Sequence, residues 1–260
     1  MMKFNKYTDT AVESAKAGAK ILLKHLNNLE RIEYKGKTDP VTAADKKSQK
    51  AIISTIKKFF PDHNIIAEEK DTFKKTESDY CWIIDPLDGT VNFVHGVPSF
   101  CISIGLMHKK EIVSAVIYAP ALNELFVAEK GKGSFLNGKK IQVSKINKML
   151  RALPVTGFPY YAQEKPDRVL KNFKNIMMVT QGMRRFGSAA IDMAYVACGR
   201  FDFFWEEGLK PWDVAAGILI VKEAGGKISD YNNKNDYLFG QTMVASNKLL
   251  HGRIIKILNK

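Results

Sequence analysis

Apolar residues recur along the first 60 positions with the three- and four-residue spacing of helices. Between residues 9 and 29 they fall on one face of a predicted helix. A second apolar stripe follows Thr42, where Thr42-Ala-Ala-Asp45 matches a capping box. Pro61-Asp62 is predicted to end this second helix. The chain is therefore expected to begin with two amphipathic helices.

Short apolar and alternating segments, typical of strands, dominate the next part of the chain. Two apolar segments come first, at 65–67 and 81–84. Three segments of alternating polarity follow at 100–108, 110–119 and 123–131, and tight turns separate them. Asn137-Gly138 marks a further hairpin. Together these segments predict an antiparallel meander.

The second half of the chain alternates between helical and strand patterns. Helices are predicted near 166–177, from Ser188, from Pro211 to Gly225-Gly226, and from about Leu249, with a strand at 201–207. Since no repeat or long linker interrupts the chain, we expect one layered α/β domain over 1–260, in which about 1–145 and 146–260 could form two lobes.

The formal net charge is +13, from 40 basic and 27 acidic residues. Such an excess can attract nucleic acid, an anionic membrane surface or a phosphorylated substrate. The basic residues are 33 lysines spread along the whole chain and only 7 arginines. Because arginine makes most specific base contacts, this composition favours a solvated lysine-rich surface over a nucleic-acid partner.

Three cysteines, Cys81, Cys101 and Cys198, lie in apolar stretches and form no CxxC pair. An odd number of such cysteines indicates buried thiols in a reducing compartment. The N-terminal residues lack the apolar core of a signal peptide, and no apolar run approaches the ~20 residues of a membrane span. We therefore expect a cytoplasmic protein that does not bind membranes.

Two carboxylates at the end of the apolar segment 81–84 are the first sign of chemistry. Asp85 and Asp88 stand three residues apart. Pro86 stiffens the expected turn, and Gly89 would let the backbone approach a ligand closely. Close carboxylates repel unless a cation lies between them, and Mg²⁺ prefers such oxygen ligands. An ordinary Asp-Pro and Asp-Gly turn is the alternative explanation.

Further acids occupy similar positions elsewhere. Glu68-Glu69 follows the apolar segment 65–67, and Asp213 follows Pro211-Trp212 at a predicted helix start. Taken singly, the Glu pair fits a solvated loop, Asp213 fits a carboxylate that offsets a helix dipole, and Asp45 fits the acid of a capping box. Together these acids at strand ends and helix starts predict a shared metal site on a net basic protein.

Five short motifs stand in order along the chain. They are Val41-Thr-Ala-Ala-Asp45, Ala67-Glu-Glu69, Trp82-Ile-Ile-Asp-Pro-Leu-Asp-Gly-Thr90, Gly187-Ser-Ala-Ala190 and Trp212-Asp-Val-Ala-Ala-Gly217. The third is joined to Asn92-Phe-Val-His95, which makes the set highly specific. From about Thr8 to its C-terminal end, the chain resembles the inositol monophosphatase family of Mg²⁺-dependent, lithium-sensitive phosphatases.

That resemblance implies an α/β (α+β) architecture, the layered α/β/α/β/α sugar-phosphatase fold. It implies two or three Mg²⁺ ions, one held by Glu68, Asp85 and the Leu87 carbonyl and another by Asp85, Asp88 and Asp213. Glu68 would also help to bind a weaker third ion. The implied reaction is direct, in-line attack of a metal-activated water on a phosphate monoester, without a phosphoenzyme.

The same resemblance implies roles for residues around the metals. Thr90 would orient the attacking water, with Asp45 or Glu68 as the proton acceptor. Backbone amides near Gly89 and Thr90 would bind phosphate oxygens. The implied substrate-binding residues are Asp88, Gly89, Thr90, Ala189, Glu206 and Asp213, with Glu207 as the alternative to its neighbour Glu206.

Inositol-1-phosphate is the first-choice substrate, because Thr90-Val-Asn-Phe-Val-His95 resembles the inositol monophosphatase branch. Fructose-1,6-bisphosphate, 3′-phosphoadenosine 5′-phosphate, histidinol phosphate and NADP stay open, since relatives act on them. A basic RNA- or protein-binding partner with incidental phosphatase activity is an alternative of another class, motivated by the net charge of +13. The resemblance further implies a homodimer, and we predict that residues 70–79 form a mobile flap near the metals.

Overall fold

Helices lie on both sides of two β-sheets in the computed structural model of the chain. The structure describes residues 4–26, 32–34, 40–69, 76–163 and 166–260. Within these ranges the helices are α1 (Lys6–His25), α2 (Ala43–Phe59), α3 (Thr90–Val94), α4 (Asp167–Met177), α5 (Ala189–Ala197), α6 (Pro211–Glu223) and α7 (His251–Leu258). The strands are β1 (Ile32–Tyr34), β2 (Pro40–Thr42), β3 (Asn64–Ala67), β4 (Tyr80–Asp88), β5 (Cys101–His108), β6 (Glu111–Ala119), β7 (Glu124–Glu129), β8 (Gly133–Leu136), β9 (Lys139–Ile141), β10 (Pro154–Thr156), β11 (Phe203–Glu207), β12 (Lys227–Ser229) and β13 (Thr242–Ser246).

The larger sheet has the strand order β3-β4-β5-β6-β7-β8-β9. β3 runs parallel to β4, and each later strand is antiparallel to the one before it. This arrangement confirms the predicted meander. Asn137 and Gly138 connect β8 to β9 with φ angles of 49° and 78°, the positive values that a two-residue hairpin turn requires.

The smaller sheet has the strand order β10-β11-β13-β12. β10 runs parallel to β11, whereas β13 pairs antiparallel with both β11 and β12. Of these four strands the sequence predicted only β11. β10 and β12 have three residues each, and four of the five residues of β13 are buried, so none of them shows a clear alternation of polarity. A separate two-stranded sheet pairs β1 with β2.

Alternate side chains of the two sheets belong to different apolar layers. In β4, Ile83 packs with residues of α5 and α6, whereas Ile84 packs with residues of α1 and α2. In β11, Phe204 joins the layer around α5 and α6, whereas Phe203 packs on the other side with Ile254 of α7. Both sheets are therefore covered on both faces, which confirms the α/β/α/β/α layering of the expected α/β (α+β) fold.

Helix α6 lies in the middle layer. Its residues 214–221 are all buried, so it has no polar face. It contacts strands of the larger sheet and strands of the smaller sheet. The position of its first turn is therefore fixed by both sheets at once.

The capping box predicted at the start of α2 is present. The Thr42 backbone N–H donates to Asp45 Oδ2 at 2.8 Å, and Ala44 N donates to Thr42 Oγ1 at 3.1 Å. The helices predicted from Ser188 and from Pro211 are confirmed as α5 and α6.

Helix α1 covers a different range from the predicted 9–29. It begins at residue 6 because Asn5 Oδ1 accepts a hydrogen bond from Thr8 N at 2.9 Å and caps the helix. It ends at residue 25, and residues 27–29 lie outside the described residues.

No helix in the described part of the chain combines the length and the apolar content that a bilayer span needs. The three cysteines are free thiols, of which Cys81 and Cys101 are buried and Cys198 is half-buried. Burial raises the pKa of Cys81 to about 11, so this thiol stays protonated at neutral pH.

His251, at the start of α7, is buried as a neutral imidazole. Its Nε2 lies 2.9 Å from Ser229 Oγ and its Nδ1 lies 2.8 Å from Ser246 Oγ. Ser229 Oγ donates its own hydrogen to Asp230 O at 2.7 Å, so Nε2 must donate to Ser229 and Nδ1 must accept from Ser246. Burial, helped by the charge of Lys227, lowers the pKa of His251 to about 4.

The free energy of unfolding should therefore fall as the pH drops from about 6.5 to about 4. The unfolded chain protonates His251 below its ordinary pKa of about 6.5, whereas the folded chain resists protonation down to about pH 4. This contribution is complete above pH 6.5 and amounts to roughly 3 kcal/mol. Urea unfolding of the wild type and of His251→Gln at pH 7 and pH 4.5 measures it. A pH dependence that is the same in both proteins would contradict the assignment.

Candidate metal centre

A cavity of about 560 Å³ opens where the ends of β4 and β11 meet the first turns of α3, α5 and α6. The carboxylate side chains that line it are Glu68, Asp85, Asp88, Asp192, Glu206 and Asp213. The apolar side chains that line it include Phe158, Pro159, Ala162, Val169, Leu170 and Leu209. The cavity thus combines a concentration of negative charge with an apolar wall.

Strand β4 brings both Asp85 and Asp88 to this cavity. The strand continues through Asp88 rather than ending at residue 84, and its register against β5 is irregular between the two acids. The turn expected at Pro86 therefore begins only at Gly89. Because the period-two alternation is interrupted, two acids three positions apart can line the same cavity.

Asp85 is the most deeply buried of the acids among the predicted metal ligands, with 2% of its surface exposed. Its Oδ1 accepts a hydrogen bond from Leu87 N at 2.9 Å. Burial raises the pKa of Asp85 well above its usual range, and the negative charges of Glu68, Asp88 and Asp213 raise it further. A positive charge at this place would relieve both effects.

Asp88 is held by the start of α5. Its Oδ2 accepts hydrogen bonds from Ser188 Oγ and from Ala190 N, each at 2.7 Å. Burial raises the pKa of Asp88 to about 6, although these hydrogen bonds oppose the rise. Ser188 Oγ also accepts from Ile191 N at 3.3 Å and so caps α5. Ala189, a predicted substrate contact, lines the cavity beside them.

Asp213 reaches the cavity from the first turn of α6. Its Oδ2 accepts a hydrogen bond from Lys210 N at 2.7 Å. Burial and the negative charge of Asp88 raise the pKa of Asp213 well above its usual range. Glu68 follows β3, its backbone N–H donates to Ile84 O at 3.2 Å, and it lines the same cavity.

The donor set fits a hard divalent cation. The ligands that the family resemblance implied all line one cavity, and they are Glu68, Asp85, Leu87, Asp88 and Asp213. Their donors are oxygens, which Mg²⁺ prefers. Within the described residues, no Lys or Arg forms an ion pair with the three aspartates. In the same residues, no three His, Cys, Asp or Glu side chains are arranged closely enough to hold a metal ion, so binding would require these acids to move together around the cation.

Thr90 lies on the cavity wall at the start of α3, and Asp45 lies behind it. Thr90 Oγ1 has one hydrogen to donate, and two acceptors lie within its reach, Asp45 Oδ1 at 3.2 Å and Leu87 O at 3.0 Å. Asp45 Oδ2 accepts from Thr42 N and Thr42 Oγ1 at 2.8 and 2.6 Å. Asp45 is 1% exposed and does not line the cavity. Burial raises its pKa above the usual range.

Gly89 forms the sharp exit from β4. Its φ angle is 93°, and a Cβ atom there would lie 2.9 Å from Ser99 O. A side chain would therefore strain the backbone and collide with the neighbouring loop. Asn92 holds this loop in place, since its Nδ2 donates to Ser99 O at 2.6 Å and to Phe186 O at 2.7 Å.

Glu206 and Glu207 are adjacent in β11, and only Glu206 lines the cavity. Glu207 pairs instead with Arg168 at 2.8 Å and accepts a hydrogen bond from the Tyr161 hydroxyl at 3.0 Å. Of the two alternatives that the family resemblance left open, Glu206 is therefore the one that lines this cavity, and its contact with a substrate stays a prediction. Gly157 packs so closely against Glu206 that a methyl group at this position would overlap the carboxyl group.

Of the Glu68-Glu69 pair, Glu68 lines the cavity and Glu69 does not. Glu69 is buried, and its backbone N–H and C=O exchange hydrogen bonds with the Gln49 side chain at 3.1 and 3.0 Å. Residues 70–75 of the predicted flap lie outside the described residues, so the flap stays a prediction. Its later end is tied to β3, since Thr76 N donates to Asn64 Oδ1 at 2.8 Å.

Ser188, Arg185 and Asp192 line the cavity, although no role there was predicted for them from the sequence. Ser188 was recognised as a helix start, but its hydrogen bond to Asp88, 100 residues away, has no local signal. Arg185 lies two residues before the motif Gly187-Ser-Ala-Ala190, and no sequence motif includes it. Asp192 did carry a signal, because it is the only charged residue in the otherwise apolar sequence of α5.

Comparisons with a family model, with related sequences and with solved structures all point to the same family. The model of the inositol monophosphatase family matches residues 4–260. The Nus factor SuhB of Escherichia coli is 40% identical over 239 residues, which are 91% of this chain and 90% of that protein. The fructose-1,6-bisphosphatase/inositol-1-monophosphatase of Thermotoga maritima is 40% identical over 253 residues, 97% of this chain and 95% of that protein.

Solved structures show the same likeness. An inositol monophosphatase from Anabaena (Nostoc) superposes with a TM-score of 0.89 at 39% identity, covering 97% of this chain and 95% of its own. The comparisons confirm the resemblance that the five motifs carried.

Proposed function

The chain belongs to the inositol monophosphatase family, whose members are metal-dependent phosphatases, and we propose that it hydrolyses a small phosphate monoester, with inositol-1-phosphate as the first choice. Water attacks phosphorus directly, and the products are the free alcohol and inorganic phosphate. The observation that carries this proposal is the convergence of Glu68, Asp85, Asp88 and Asp213 on one cavity.

We propose Mg²⁺ as the cofactor, in two or three ions. Glu68, Asp85 and the Leu87 carbonyl would hold one ion, and Asp85, Asp88 and Asp213 would hold another. When bound, Mg²⁺ neutralises phosphoryl oxygens, makes water a stronger nucleophile and stabilises the leaving alkoxide. Glu68 would also contribute to a weaker third position.

The Thr90 hydroxyl orients the attacking water. With the Leu87 carbonyl engaged in holding a cation, the one hydrogen of Thr90 Oγ1 would go to Asp45 Oδ1, 3.2 Å away. The lone pairs of Thr90 Oγ1 can then accept a hydrogen bond from water. As water attacks, its proton passes to Thr90 Oγ1 while the Thr90 proton passes to Asp45 Oδ1. Burial raises the pKa of Asp45, which makes it a stronger base than an exposed aspartate. Glu68 is the alternative acceptor.

The substrate lies between two sets of contacts. Backbone amides near Gly89 and Thr90 bind the phosphate oxygens, as amides at such a turn can do. The leaving alcohol lies toward Ala189, Glu206 and Asp213, which line the cavity. The carboxylates of the last two would accept hydrogen bonds from its hydroxyl groups.

A second candidate function is binding of RNA or of a protein partner. It is favoured by the relative named Nus factor SuhB, which is 40% identical, and by the net charge of +13. An electrostatic interaction of this kind should be strongly salt-dependent. The two functions are compatible, because the acids of the cavity would not take part in the binding of RNA or of a protein partner.

We also propose that the chain forms a homodimer and works in the cytoplasm. Only the family resemblance supports the proposal of a homodimer. The compartment is supported by the three free cysteines, of which two are buried.

The first experiment is phosphate release from a small panel of esters with and without Mg²⁺. The panel contains inositol-1-phosphate, fructose-1,6-bisphosphate, 3′-phosphoadenosine 5′-phosphate, histidinol phosphate and NADP. We expect release only with Mg²⁺, inhibition by added Li⁺, and the highest kcat/KM for inositol-1-phosphate. EDTA should abolish release, because the carboxylates alone supply no positive charge to the phosphoryl oxygens.

The outcomes separate the two candidate functions. Release that is independent of divalent cations would refute the metal assignment. Absence of release from every ester, together with tight RNA binding at physiological salt, would favour the binding function instead.

A further inference from the structure

Glu207 is a buried carboxylate that the proposed reaction does not use. It is 4% exposed and follows Glu206 in β11. Because adjacent residues of a strand point to opposite faces, Glu206 lines the cavity and Glu207 does not. A buried carboxylate is costly to retain unless its partners compensate the charge. Its partners therefore indicate what Glu207 stabilises.

The side-chain partners of Glu207 in the described part of the chain belong to the apolar wall of the cavity. Arg168 Nε lies 2.8 Å from Glu207 Oε2, and the Tyr161 hydroxyl donates to Glu207 Oε1 at 3.0 Å. The wall segment, residues 157–163 and 166–170, contains both partners. It also contains most of the apolar side chains that line the cavity, among them Phe158, Pro159, Ala162, Val169 and Leu170. Glu207 thus connects β11 to this wall.

Two glycines allow the wall segment and β11 to approach each other closely. Gly157 packs against the Glu206 carboxyl group, with no room between them for a methyl group. A Cβ atom at Gly208 would lie 2.9 Å from both Pro159 Cβ and Tyr161 Cε1. Larger residues at either position would push the wall away from the strand. The ion pair of Glu207 therefore lies within a close-packed interface.

The wall segment lies where the leaving alcohol is expected, since Glu206, the predicted contact of that alcohol, lines the same cavity. Phe158 and Leu170 are 37% and 55% exposed, so they can still bury apolar surface against a ligand. The C–H groups of an inositol ring can pack on such side chains while its hydroxyl groups bind the acids. The position of the wall therefore sets how much of the alcohol is covered.

We propose that Glu207 is a positioning residue that holds the wall segment against β11 through Arg168 and Tyr161, and that it thereby determines how tightly the cavity binds the leaving alcohol. This inference rests on the proposed phosphatase function and adds a determinant of its leaving-group specificity. Because Glu207 does not line the cavity, it acts on binding of the alcohol and not on the attack of water.

Glu207→Gln tests this role, because glutamine keeps an acceptor for the Tyr161 hydroxyl and loses the charge that pairs with Arg168. With Mg²⁺, we expect its KM for inositol-1-phosphate to rise about tenfold, the scale of a lost apolar contact, with kcat within about twofold of the wild type. Methyl phosphate has a leaving group too small to reach the wall, so its KM should stay unchanged. General damage to the fold would affect both esters alike.

Glu124→Gln is the matched control. Glu124 also pairs with an arginine, Arg200 at 2.6 Å, and accepts a hydrogen bond from the Tyr195 hydroxyl at 2.8 Å, but it does not line the cavity. This variant should keep the wild-type KM for both esters. Arg168→Gln should reproduce the KM of Glu207→Gln, and the double variant should add little, since both substitutions break the same ion pair.

Hydrogen exchange provides a measurement that requires neither metal nor turnover. The amides of the wall segment should exchange faster in Glu207→Gln than in the wild type, whereas those of the larger sheet should not change. Glu124→Gln should leave exchange in the wall segment unchanged. If Glu207→Gln does not fold, Arg168→Gln replaces it in both measurements, because the Arg168 side chain is exposed.

The outcomes separate the positioning role from the phosphatase function. Equal changes in KM for the two esters, or a lower kcat with an unchanged KM, would overturn the positioning role even if phosphate is released. Unchanged exchange in the wall segment would overturn it as well. Absence of Mg²⁺-dependent release from both esters would refute the phosphatase function, while hydrogen exchange would still decide whether Glu207 holds the wall.

Discussion

Replacing Asp88 with asparagine should lower Mg²⁺-dependent phosphate release by roughly a thousandfold, the scale of losing one well-placed electrostatic group. Asparagine has nearly the same shape, and its single carbonyl oxygen can keep the hydrogen bonds from Ser188 Oγ and Ala190 N, both 2.7 Å in the wild type. Its NH₂ group then replaces the other oxygen, and a donor cannot ligate a cation. Steady-state phosphate release with saturating Mg²⁺ measures the loss.

The same substitution should leave the fold intact. Burial raises the pKa of Asp88 to about 6, so a neutral side chain removes a charge that the fold must otherwise desolvate. The Tm should therefore stay equal or rise in the absence of Mg²⁺. Asp62→Asn, at an exposed position, is the matched control and should keep both properties. Retention of full Mg²⁺-dependent activity in Asp88→Asn would contradict the metal assignment.

The second large effect is expected at Thr90. Thr90→Val keeps the branched shape and removes the hydroxyl that joins the cavity to Asp45 Oδ1 at 3.2 Å. The rate should fall by about 10²-fold or more, since water loses both its orienting group and its route to a base. KM should change little, because the hydroxyl acts on the attacking water rather than on the substrate. Single-turnover phosphate release separates the chemical step from binding.

Thr90→Ser is the matched control, since it keeps the hydroxyl and loses only a methyl group. We expect its rate to stay within several-fold of the wild type. Thr90→Val should also unfold about 1–2 kcal/mol more easily, because the buried acceptors Leu87 O and Asp45 Oδ1 lose the one hydrogen that Thr90 offers them. A valine variant with nearly the wild-type rate would exclude the path through Asp45 and leave Glu68 as the acceptor.

The sequence predicts well those elements that depend on residues close together in the chain. The start of α2 depends on Thr42 and Asp45, which are three residues apart and hydrogen-bond to each other. The hairpin after β8 depends on Asn137 and Gly138 alone. The predicted acids of the site could be found for the same reason, since each lies close after a short apolar segment or at a helix-start signal in the sequence.

Features that depend on distant parts of the chain were not predictable. β13 is a strand because β11 and β12 pair with its two edges, and its own residues show no alternation. The continuation of β4 through Asp88 depends on pairing with β5. Ser188 meets Asp88 only because α5 packs against the larger sheet. Such contacts leave no mark in the local pattern of polarity.

Because α6 lies between the two sheets, one apolar face of the larger sheet stays uncovered during synthesis until this helix has been made. The ribosome finishes the larger sheet at residue 141 and reaches the end of α6 at residue 223. At roughly 5–20 residues per second, this interval lasts about 4–16 s. During it the apolar face of the sheet, with Ile83 and Ile117, lacks the helices that later cover it.

Any part of the larger sheet that forms in this interval would be open to unwanted association. Chaperones that bind apolar surface would have their main opportunity in this interval. Asp213 lies at the start of α6, so the last acid of the cavity arrives with the helix that covers the sheet. The cavity and the cover of the sheet therefore both wait for the same helix.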